Sequence, residues 1–452
     1  MSVENTSLDY EQIDRIFEKA KGIFFVGIGG VSMSALADFC VRHGKRVFGY
    51  DSARSEFSVA LEKSCFIKYC STPDSVDGMD LVIYSTAIDE SNLELCRALR
   101  LKIPTVSRAN FLGYVMSRHN SRIGICGAHG KSTTTAMLGH IYLCAGREPS
   151  VFCGAHMINY GSTHVIGGGD FIVEACEYKN AFLSLCPSQV GITNIDFDHL
   201  DFFKSEEQIL DSFQKFVNMA QAVYLNADNE LCEKIEHGNI VTYGIDKKAD
   251  YTAKIAHRGE KNELTVYYRG SELFCSSLAF FGKHLAYDAL CATAIAHQNG
   301  IEPSAIKGAL DSFCGTKRRM ELIKSDTCRH FFEDYAHHPS EIKASLEALK
   351  ESGFKRILCI FQPHTYSRSY YLQNEFASCF SLADALIVLP TYGARLENDF
   401  GLCDKDFAAL CGGIYEESAH AVLEKIKKST CDAVVLMGAG DLCGLKELVL
   451  SS

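Results

Sequence analysis

The stretch RIGICGAHGKSTTT, at residues 122–135, decides the fold. Its first five residues form a short apolar run that is typical of a buried strand, and the residues from Lys131 onward can open a helix. Glycines between a strand and a helix let backbone N–H groups surround phosphate oxygens, and the helix N-terminus favours the negative charge. The stretch therefore predicts a phosphate-binding loop within a strand–loop–helix unit, and with it an α/β fold.

Residue types within the loop indicate how a nucleotide would be held. Lys131 would reach the outer phosphates, and the hydroxyl of Ser132 would ligate Mg²⁺. Ile125 stands where the full Walker pattern has a glycine, so the loop is a shortened one. A turn that merely contains a lysine is the alternative, but the position between a strand and a helix favours a nucleotide. The predicted nucleotide contacts in the loop are Gly127, Ala128, His129, Gly130, Lys131, Ser132 and Thr133.

Acidic residues follow two further strands of the same block. Glu174 ends the apolar run 171–173, and Asp196 and His199 come soon after the run 190–193. Side chains at the carboxyl ends of parallel strands face the crevice in which ligands bind, and Mg²⁺ prefers oxygen ligands. Taken singly, each acid would more often be a solvated loop residue. Their joint placement favours metal and phosphate roles.

A second glycine turn lies near the N-terminus. The predicted strand 22–28 runs into Gly27-Ile28-Gly29-Gly30, and Asp51 ends the next predicted strand, near the usual place of a ribose-binding acid. Ser32 stands where a dinucleotide fingerprint has glycine. The pattern favours nucleotide binding over a turn without a ligand, but it does not separate NAD from a UDP-sugar.

Short strands alternate with longer amphipathic segments along the chain, which predicts parallel α/β sheets in three domains. The predicted domains are residues 1–118, 119–315 and 316–452. The predicted strands are 22–28, 46–51 and 80–85, then 122–126, 171–176 and 190–194, then 331–335, 356–362, 385–390 and 432–437. Helices near 283–298 and 302–311 close the second domain.

Composition and charge argue against several classes of protein. The net charge of -11 argues against a general nucleic-acid binder, which would show a basic stripe. The 20 cysteines include no Cys-x-x-Cys pair, so they indicate a reducing compartment instead of a disulfide scaffold or a zinc site. No signal-peptide pattern is present, and no apolar run approaches the roughly 20 residues of a membrane span. We expect a cytoplasmic protein without nucleic-acid or membrane partners.

Seven motifs together resemble the Mur ligase family. In chain order they are GIGG (27–30), GAHGKSTTT (127–135), EACEY (174–178), TNIDFDH (193–199), KRRME (317–321), DYAHHP (334–339) and QPHTYSR (362–368). The resemblance extends from Gly27 to Asp441. It implies a Rossmann-like N-terminal domain that binds a UDP-sugar, a central P-loop ATPase domain and a Rossmann-like C-terminal domain that holds an amino acid.

Within the family, the motifs are most similar to those of members that add L-alanine to UDP-N-acetylmuramate. The resemblance implies an ATP-dependent carboxylate–amine ligase of peptidoglycan precursor synthesis, which activates the lactyl carboxylate as an acyl phosphate. ATP and Mg²⁺ are the implied cofactors, and the partners are the small-molecule substrates of a monomer or homodimer. Because two anions meet in the first step, the site needs concentrated positive charge.

Residue roles follow from the resemblance by position. The implied catalytic residues are Lys131, Glu174, His199, Arg319 and His337, and the implied metal ligands are Ser132, Glu174 and His199. Nucleotide contacts beyond the loop are His284, Arg318 and Arg319. Substrate contacts are Gly27, Gly29, Gly30, Asp51, Ser85, Arg108, Tyr335, His337 and Arg368. For His337, a general base and a positioning residue are equally compatible with the sequence.

The chain departs from the family pattern at several positions. The family segment Gly-x-His-Asn-x-x-Asn-Ala reads GKHLAYDA at 282–289, so Leu285 and Asp288 replace two amides. Ala128 replaces a threonine that is common in the loop. Thr365 stands where some relatives carry an arginine, which leaves Arg368 to hold the carboxylate of the amino acid.

Three other functions stay open at this point. A recycling ligase that attaches a peptide to the same UDP-sugar shares most of the motifs. An NAD-dependent oxidoreductase built on the first domain would leave the phosphate loop without a role. A non-catalytic nucleotide-binding regulator is favoured by Leu285 and Asp288, and the retained Lys131, Glu174 and His199 argue against it.

Overall fold

Three β-sheets follow one another along the chain. The computed structural model describes residues 8–89, 91–196, 202–258, 261–278, 282–326, 329–393 and 398–452. The strands of the three sheets lie within residues 22–107, 122–278 and 321–437. The predicted three-domain α/β architecture is confirmed, and the predicted boundaries near residues 118 and 315 fall between the sheets.

The N-terminal sheet is parallel, with the strand order β3-β2-β1-β4-β5. Its strands are β1 (Gly22–Val26), β2 (Arg46–Tyr50), β3 (Phe66–Lys68), β4 (Leu81–Tyr84) and β5 (Thr105–Ser107). Its helices are α1 (Tyr10–Lys19), α2 (Val31–Arg42), α3 (Glu56–Leu61), α4 (Leu93–Arg100) and α5 (Arg108–Ser117). The order reverses between β1 and β4, so the glycine turn after β1 opens onto the crevice where such sheets bind ligands.

The central sheet has ten strands in the order β15-β14-β13-β12-β11-β10-β6-β9-β7-β8. The strands are β6 (Arg122–Cys126), β7 (Ser150–Met157), β8 (Ser162–Val165), β9 (Phe171–Glu174), β10 (Gln189–Ile192), β11 (Ala222–Asn226), β12 (Ile240–Gly244), β13 (Tyr251–Arg258), β14 (Lys261–Tyr268) and β15 (Ser271–Leu278). The helices are α6 (Lys131–Cys144), α7 (Glu206–Val217), α8 (Lys283–Gln298) and α9 (Pro303–Ser312). Because β6 lies between the parallel strands β9 and β10, the residues that follow these three strands meet at one edge.

The central sheet is not purely parallel, unlike the prediction from sequence. Strands β13, β14 and β15 form an antiparallel meander. The β14–β15 hairpin turns at Arg269 and Gly270, whose φ angles are 48° and 85°. Two-residue hairpin turns with positive φ usually carry Asn-Gly or Asp-Gly. Because an arginine occupies the first position, the sequence pattern did not predict this hairpin.

The C-terminal sheet has the order β16-β17-β21-β18-β19-β20, and only β16 is antiparallel to its neighbour. Its strands are β16 (Glu321–Ser325), β17 (His330–Asp334), β18 (Ile357–Phe361), β19 (Ala385–Val388), β20 (Ile414–Tyr415) and β21 (Ala433–Met437). Its helices are α10 (Pro339–Glu351), α11 (Tyr366–Tyr371), α12 (Gln373–Cys379), α13 (Asp404–Leu410), α14 (Ala419–Lys428) and α15 (Cys443–Ser451). Short 3-10 helices occupy Pro73–Val76, Ile158–Tyr160, Tyr178–Ser184 and Cys232–Lys234.

The cysteines that the structure describes are free thiols, and several are core residues, including Cys40, Cys126, Cys291 and Cys359. None of the helices in the described part of the chain is long and apolar enough to cross a membrane.

Helices α1 and α5 attach the N-terminal domain to the central domain. The hydroxyl of Tyr10 donates to the carbonyl oxygen of Ser184 at 2.6 Å. Gly113, in the middle of α5, lies so close to the same carbonyl that an added Cβ would be 1.9 Å from its oxygen. The two domains approach each other at this point at a distance that only glycine permits.

We expect Gly113→Ala to destabilise the chain, because a methyl group cannot fit against a fixed carbonyl. Overpacking of this kind costs about 1–3 kcal/mol. Gly308→Ala is the matched control, since Gly308 is also helical and has open space around it. There the added methyl should be neutral or stabilise by about 0.5–1 kcal/mol. Calorimetric unfolding of both variants measures the difference, and equal midpoints would contradict the packing argument.

Candidate active site

The phosphate loop joins β6 to α6 through two glycines with positive φ. Gly127 has φ 136° and Gly130 has φ 80°. A Cβ at Gly127 would lie 2.2 Å from the hydroxyl oxygen of Thr193. Within the described part of the chain, no side chain caps the N-terminus of α6. The first-turn N–H groups of the helix can therefore serve an anion, as the sequence predicts.

The side chain of Lys131 folds back along the loop. Its ammonium group donates to the carbonyl oxygens of Gly127 and Ala128 and lies 3.1 Å from the carboxylate of Glu177. Burial lowers the pKa of Lys131, but Glu177, Cys176 and Glu174 together outweigh this effect and raise the pKa above its ordinary value. Glu177 is itself buried. No role was predicted for Glu177, although it belongs to the EACEY motif.

Glu174 and the start of α6 meet across strand β7. Glu174 pairs in register with Ile125, at the end of β6. Its carboxylate accepts the Gly154 N–H at 2.7 Å, while the neighbouring Cys153 thiol donates to the carbonyl of Ser132 at 3.3 Å. The Glu174 carboxylate and the Ser132 hydroxyl are hard oxygen donors of the kind that Mg²⁺ takes. The third predicted ligand, His199, lies outside the described residues.

A cavity of about 200 Å³ lies between the phosphate loop, helix α8 and the C-terminal domain. The residues that line it include His129, Gly130, Thr133, Asn226, His284, Leu285, Asp288, Arg319 and Glu341. The cavity adjoins the uncapped end of α6, so the arrangement fits a nucleotide whose phosphates rest on the loop. It contains both positions at which this chain departs from the family segment.

Helix α8 contributes two titratable groups to the cavity, the half-buried His284 and the buried Asp288. Burial lowers the pKa of His284 to about 4, so its imidazole is neutral. The carboxyl group of Asp288 accepts a hydrogen bond from the Thr134 hydroxyl at 3.0 Å. Burial raises the pKa of Asp288 to about 7.

The carboxylate of Glu341 links the C-terminal domain to the phosphate loop. One oxygen accepts from Nδ1 of His129 at 3.0 Å. The other accepts the backbone N–H groups of His337 and His338 at 3.1 and 3.2 Å. The guanidinium group of Arg319 lies 3.8 Å away. No role was predicted for Glu341, although it lies only two residues after the DYAHHP motif.

His129 is a charged group at neutral pH. Its Nε2 lies 3.0 Å from the Ser340 hydroxyl and 3.4 Å from the carboxylate of Asp196. Burial lowers the pKa of His129. Glu341 and Asp196 raise it by more than burial lowers it, so that the pKa is about 9. The imidazolium therefore joins carboxylates of the central and C-terminal domains.

Arg318 and Arg319 point in different directions. Arg318 donates to the carbonyl oxygens of Gly438 and Gly440 at 2.7 and 2.9 Å, within its own domain. Arg319 lines the cavity instead. Both guanidinium groups lie 4.9 Å from the centre of the Tyr335 ring. Of the two predicted nucleotide contacts, Arg319 is the one that faces the phosphate loop.

The residues predicted to hold the amino acid are also close together. The His337 ring lies 5.4 Å from the Tyr335 ring and 5.7 Å from the His364 ring. Arg368 donates to the carbonyl oxygen of His364 at 3.3 Å, and His364 stacks on Tyr392 at 5.8 Å. No role was predicted for His364, which belongs to the QPHTYSR motif, or for Tyr392, which lies outside the motifs.

The structure also brings together the predicted UDP-sugar contacts of the N-terminal domain, which are Gly27, Gly29, Gly30, Asp51, Ser85 and Arg108. Asp51 accepts the Gly29 N–H at 2.8 Å, and a Cβ at Gly27 would lie 3.2 Å from that of Ser85. Arg108 donates to the hydroxyl of Ser32 at 3.3 Å. Ser32, which breaks the dinucleotide fingerprint, therefore holds an arginine at this turn.

The fold and the site define a three-domain α/β protein in which a phosphate-binding loop faces a third domain across a cavity of about 200 Å³. Residues 22–120 match the family model "Mur ligase family, catalytic domain", residues 168–296 match "Mur ligase middle domain", and residues 318–440 match "Mur ligase, glutamate ligase domain". The chain belongs to the Mur ligase family.

Individual relatives match over almost the whole chain. A UDP-N-acetylmuramate–L-alanine ligase of Caldanaerobacter subterraneus subsp. tengcongensis is 37% identical over 451 residues, which cover 96% of this chain and 98% of the relative. One from Clostridium kluyveri is 38% identical and covers 96% and 99%. The solved UDP-N-acetylmuramate-alanine ligase of Thermotoga maritima has a TM-score of 0.82 at 28% identity, with 96% and 98% covered. A murein peptide ligase of Psychrobacter arcticus shares the fold, with a TM-score of 0.70 at 24% identity over 95% of this chain and 98% of its own.

We expect the stability that His129 contributes to depend on pH. Its folded-state pKa of about 9 lies above the ordinary value. The contribution is therefore fully present below about pH 6.5 and is lost as the pH rises through the folded-state value. Between about pH 6.5 and about pH 9, the melting midpoint of His129→Gln should therefore fall less than that of the wild type. A difference of about 1 kcal/mol in the free energy of unfolding shifts the melting midpoint by about 2–4 °C in domains of 150–250 residues.

The exposed His420 of α14 supplies the control variant His420→Gln. Its midpoint should follow the wild-type pH dependence. If His129→Gln also follows it, then His129 does not carry the charge that links the two domains.

Proposed function

We propose that this chain joins L-alanine to the lactyl carboxylate of UDP-N-acetylmuramate, with ATP converted to ADP and phosphate, in peptidoglycan precursor synthesis. The observation that carries the proposal is the position of the phosphate loop. It faces Arg319 across the cavity, and the cluster of Tyr335, His337 and Arg368 lies in the same C-terminal domain. Relatives of that name match the chain over nearly its full length. We expect a cytoplasmic monomer or homodimer.

The first step would join two anions. A carboxylate oxygen of the UDP-sugar attacks the γ-phosphorus, the bond to the β-phosphate oxygen breaks, and an acyl phosphate and ADP result. The N-terminus of α6, Lys131 and Arg319 supply positive charge around the transferred group, which is the main contribution a protein makes to phosphoryl transfer. Ser132 and Glu174 would hold Mg²⁺, which neutralises phosphate charge when bound.

Lys131 is held ready for this task by its acid partner. Glu177 helps to keep the ammonium group charged, although the Lys131 side chain is largely removed from water. The flexible side chain can exchange the carbonyl oxygens of Gly127 and Ala128 for phosphate oxygens without leaving Glu177. Preorganised charge of this kind costs little reorganisation when the transition state forms.

The second step needs a free amine. The ammonium group of L-alanine must lose a proton before the amine attacks the acyl carbonyl and phosphate leaves. Nδ1 of His337 lies 2.9 Å from the carbonyl oxygen of Tyr335. The tautomer that donates from Nδ1 leaves Nε2 as a proton acceptor. This contact favours His337 as the general base, and Arg368 would hold the carboxylate of the amino acid.

The test of the proposed function is phosphate release from ATP and Mg²⁺ with UDP-N-acetylmuramate, with and without L-alanine, followed by the mass of the product. Because closure of the site should exclude water from the acyl phosphate, we expect little release from ATP alone. Release that needs both substrates, with a product heavier by one alanine residue, supports the proposal. Release with a tripeptide but not with alanine would assign the chain to peptide recycling instead.

We expect Glu174→Gln to lower kcat by about 10²–10³, the effect of losing one charge-stabilising contact in a polar active site. The variant should also need a higher Mg²⁺ concentration for half-maximal rate, because an amide is a weaker ligand than a carboxylate. Glu148→Gln, at an exposed position before β7, is the control and should retain the wild-type rate. An unchanged Mg²⁺ requirement in Glu174→Gln would remove Glu174 from the metal site.

We expect His337→Ala to separate the two steps. Without a base, amide formation should fall by about 10²–10⁴, while activation of the carboxylate continues. Hydroxylamine traps an acyl phosphate as a hydroxamate without help from this residue, so hydroxamate formation measures the first step. Loss of both products to the same extent would instead assign His337 to positioning.

A further inference from the structure

We propose that Asp288 takes up a proton when a nucleotide enters the phosphate loop, so that affinity for ATP and ADP is coupled to pH through this one side chain. The proposal rests on nucleotide binding in the proposed function, but not on the identity of the sugar or the amino acid. It concerns a position where this chain differs from the family segment.

Asp288 lies directly against the phosphate loop. Its Oδ1 would be only 2.3 Å from a Cβ built on Gly130. The same oxygen accepts from the hydroxyl of Thr134, a residue of the first turn of α6. The side chain also lines the cavity that adjoins the loop. A charge on Asp288 would therefore lie beside any phosphate that the loop binds.

The surroundings of Asp288 favour its neutral form. The residue is 5% exposed. The titratable groups around it are His129 from the loop, His284, Tyr287 and Cys291 from α8, Tyr243 from β12, and Arg319, Asp334 and Glu341 from the C-terminal domain.

The two cations nearest the loop are engaged elsewhere. Lys131 pairs with Glu177, and His129 pairs with Glu341 and Asp196. Burial raises the pKa of Asp288 and outweighs the opposite effects of the Thr134 hydrogen bond and of Arg319, so that the pKa is about 7. Near neutral pH the empty loop therefore has Asp288 partly charged and partly neutral.

A bound nucleotide would shift this balance. Phosphate charges close to a carboxyl group disfavour its ionised form and raise its pKa. By reciprocity, protonation of Asp288 must favour the nucleotide to the same degree. The neutral acid can still accept from Thr134 and gains a hydrogen-bond donor. An asparagine, the usual residue in the family segment, is neutral at every pH and cannot show this coupling.

Titration calorimetry of ADP with Mg²⁺ tests the proposal on the full chain. Binding is measured at several pH values between 7 and 9, in two buffers with different heats of ionisation, for the wild type and Asp288→Asn. The difference in apparent heat between buffers gives the number of protons taken up. Near pH 8, where Asp288 is mostly ionised before the nucleotide binds, we expect the wild type to take up close to one proton more than the variant. Its affinity should then fall by up to about tenfold more per pH unit, as linkage requires for one proton.

The comparison isolates Asp288, because the phosphates of ADP and the imidazole of His129 titrate in both proteins. Asp246→Asn, at an exposed carboxylate that pairs with Lys283 of α8, is the control and should match the wild type. In Thr134→Val the carboxyl loses a hydrogen bond that stabilises its charged form. Proton uptake should therefore begin at a higher pH than in the wild type.

Equal proton uptake and equal pH dependence in the wild type and Asp288→Asn would overturn the proposal. If ADP binds to neither the wild type nor Asp288→Asn, both this coupling and the nucleotide site are overturned. Coupled ADP binding by a chain that forms no amide would support the coupling while the proposed function fails.

Discussion

The active site depends on the hydrogen bonds of the Glu341 carboxylate, whose side chain is 12% exposed. It caps the N-terminus of α10 by accepting two backbone N–H groups, and it also accepts from His129 in the phosphate loop. A buried charge is tolerated only when it is fully paired. Burial raises the pKa of Glu341, but the surrounding cations outweigh this and hold it well below its ordinary value. One acid therefore connects two domains and lines the cavity beside the phosphate loop.

The same pairing of acids with cations recurs around the cavity. Lys131 is matched by Glu177, and His129 by Glu341 and Asp196. These pairs keep positive charge in a site that is largely removed from water, where its effect on phosphates is strongest. The sheet topology brings these groups together, because β6 lies between the parallel strands β9 and β10. Glu174 ends β9, and Asp196 follows β10. Asp288 is the exception, since its charge has the wrong sign for the place it occupies.

Much of the fold could be predicted because its signals are local. Buried parallel strands appear as apolar runs, and the strands found at β1, β6, β18 and β21 lie within the predicted ranges. Gly127 and Gly130 mark a turn with positive φ angles, which other residues adopt only at a cost in free energy. The β13–β15 meander escaped prediction because its hairpin turn has an arginine where the usual turn residues would stand.

The sequence by itself determined the phosphate loop, the order of the three domains and the motifs that carry the family resemblance. These depend on residues adjacent in the chain, whose conformational preferences act locally. Only the tertiary structure decided that Arg319 faces the cavity while Arg318 donates hydrogen bonds within its own domain. It also decided that Glu177 pairs with Lys131 and that Glu341 pairs with His129. The last pair is separated by 212 positions, and the choice between neighbouring arginines depends on where other chain segments place their carbonyl groups. Such contacts arise from packing between domains, and no local pattern encodes them.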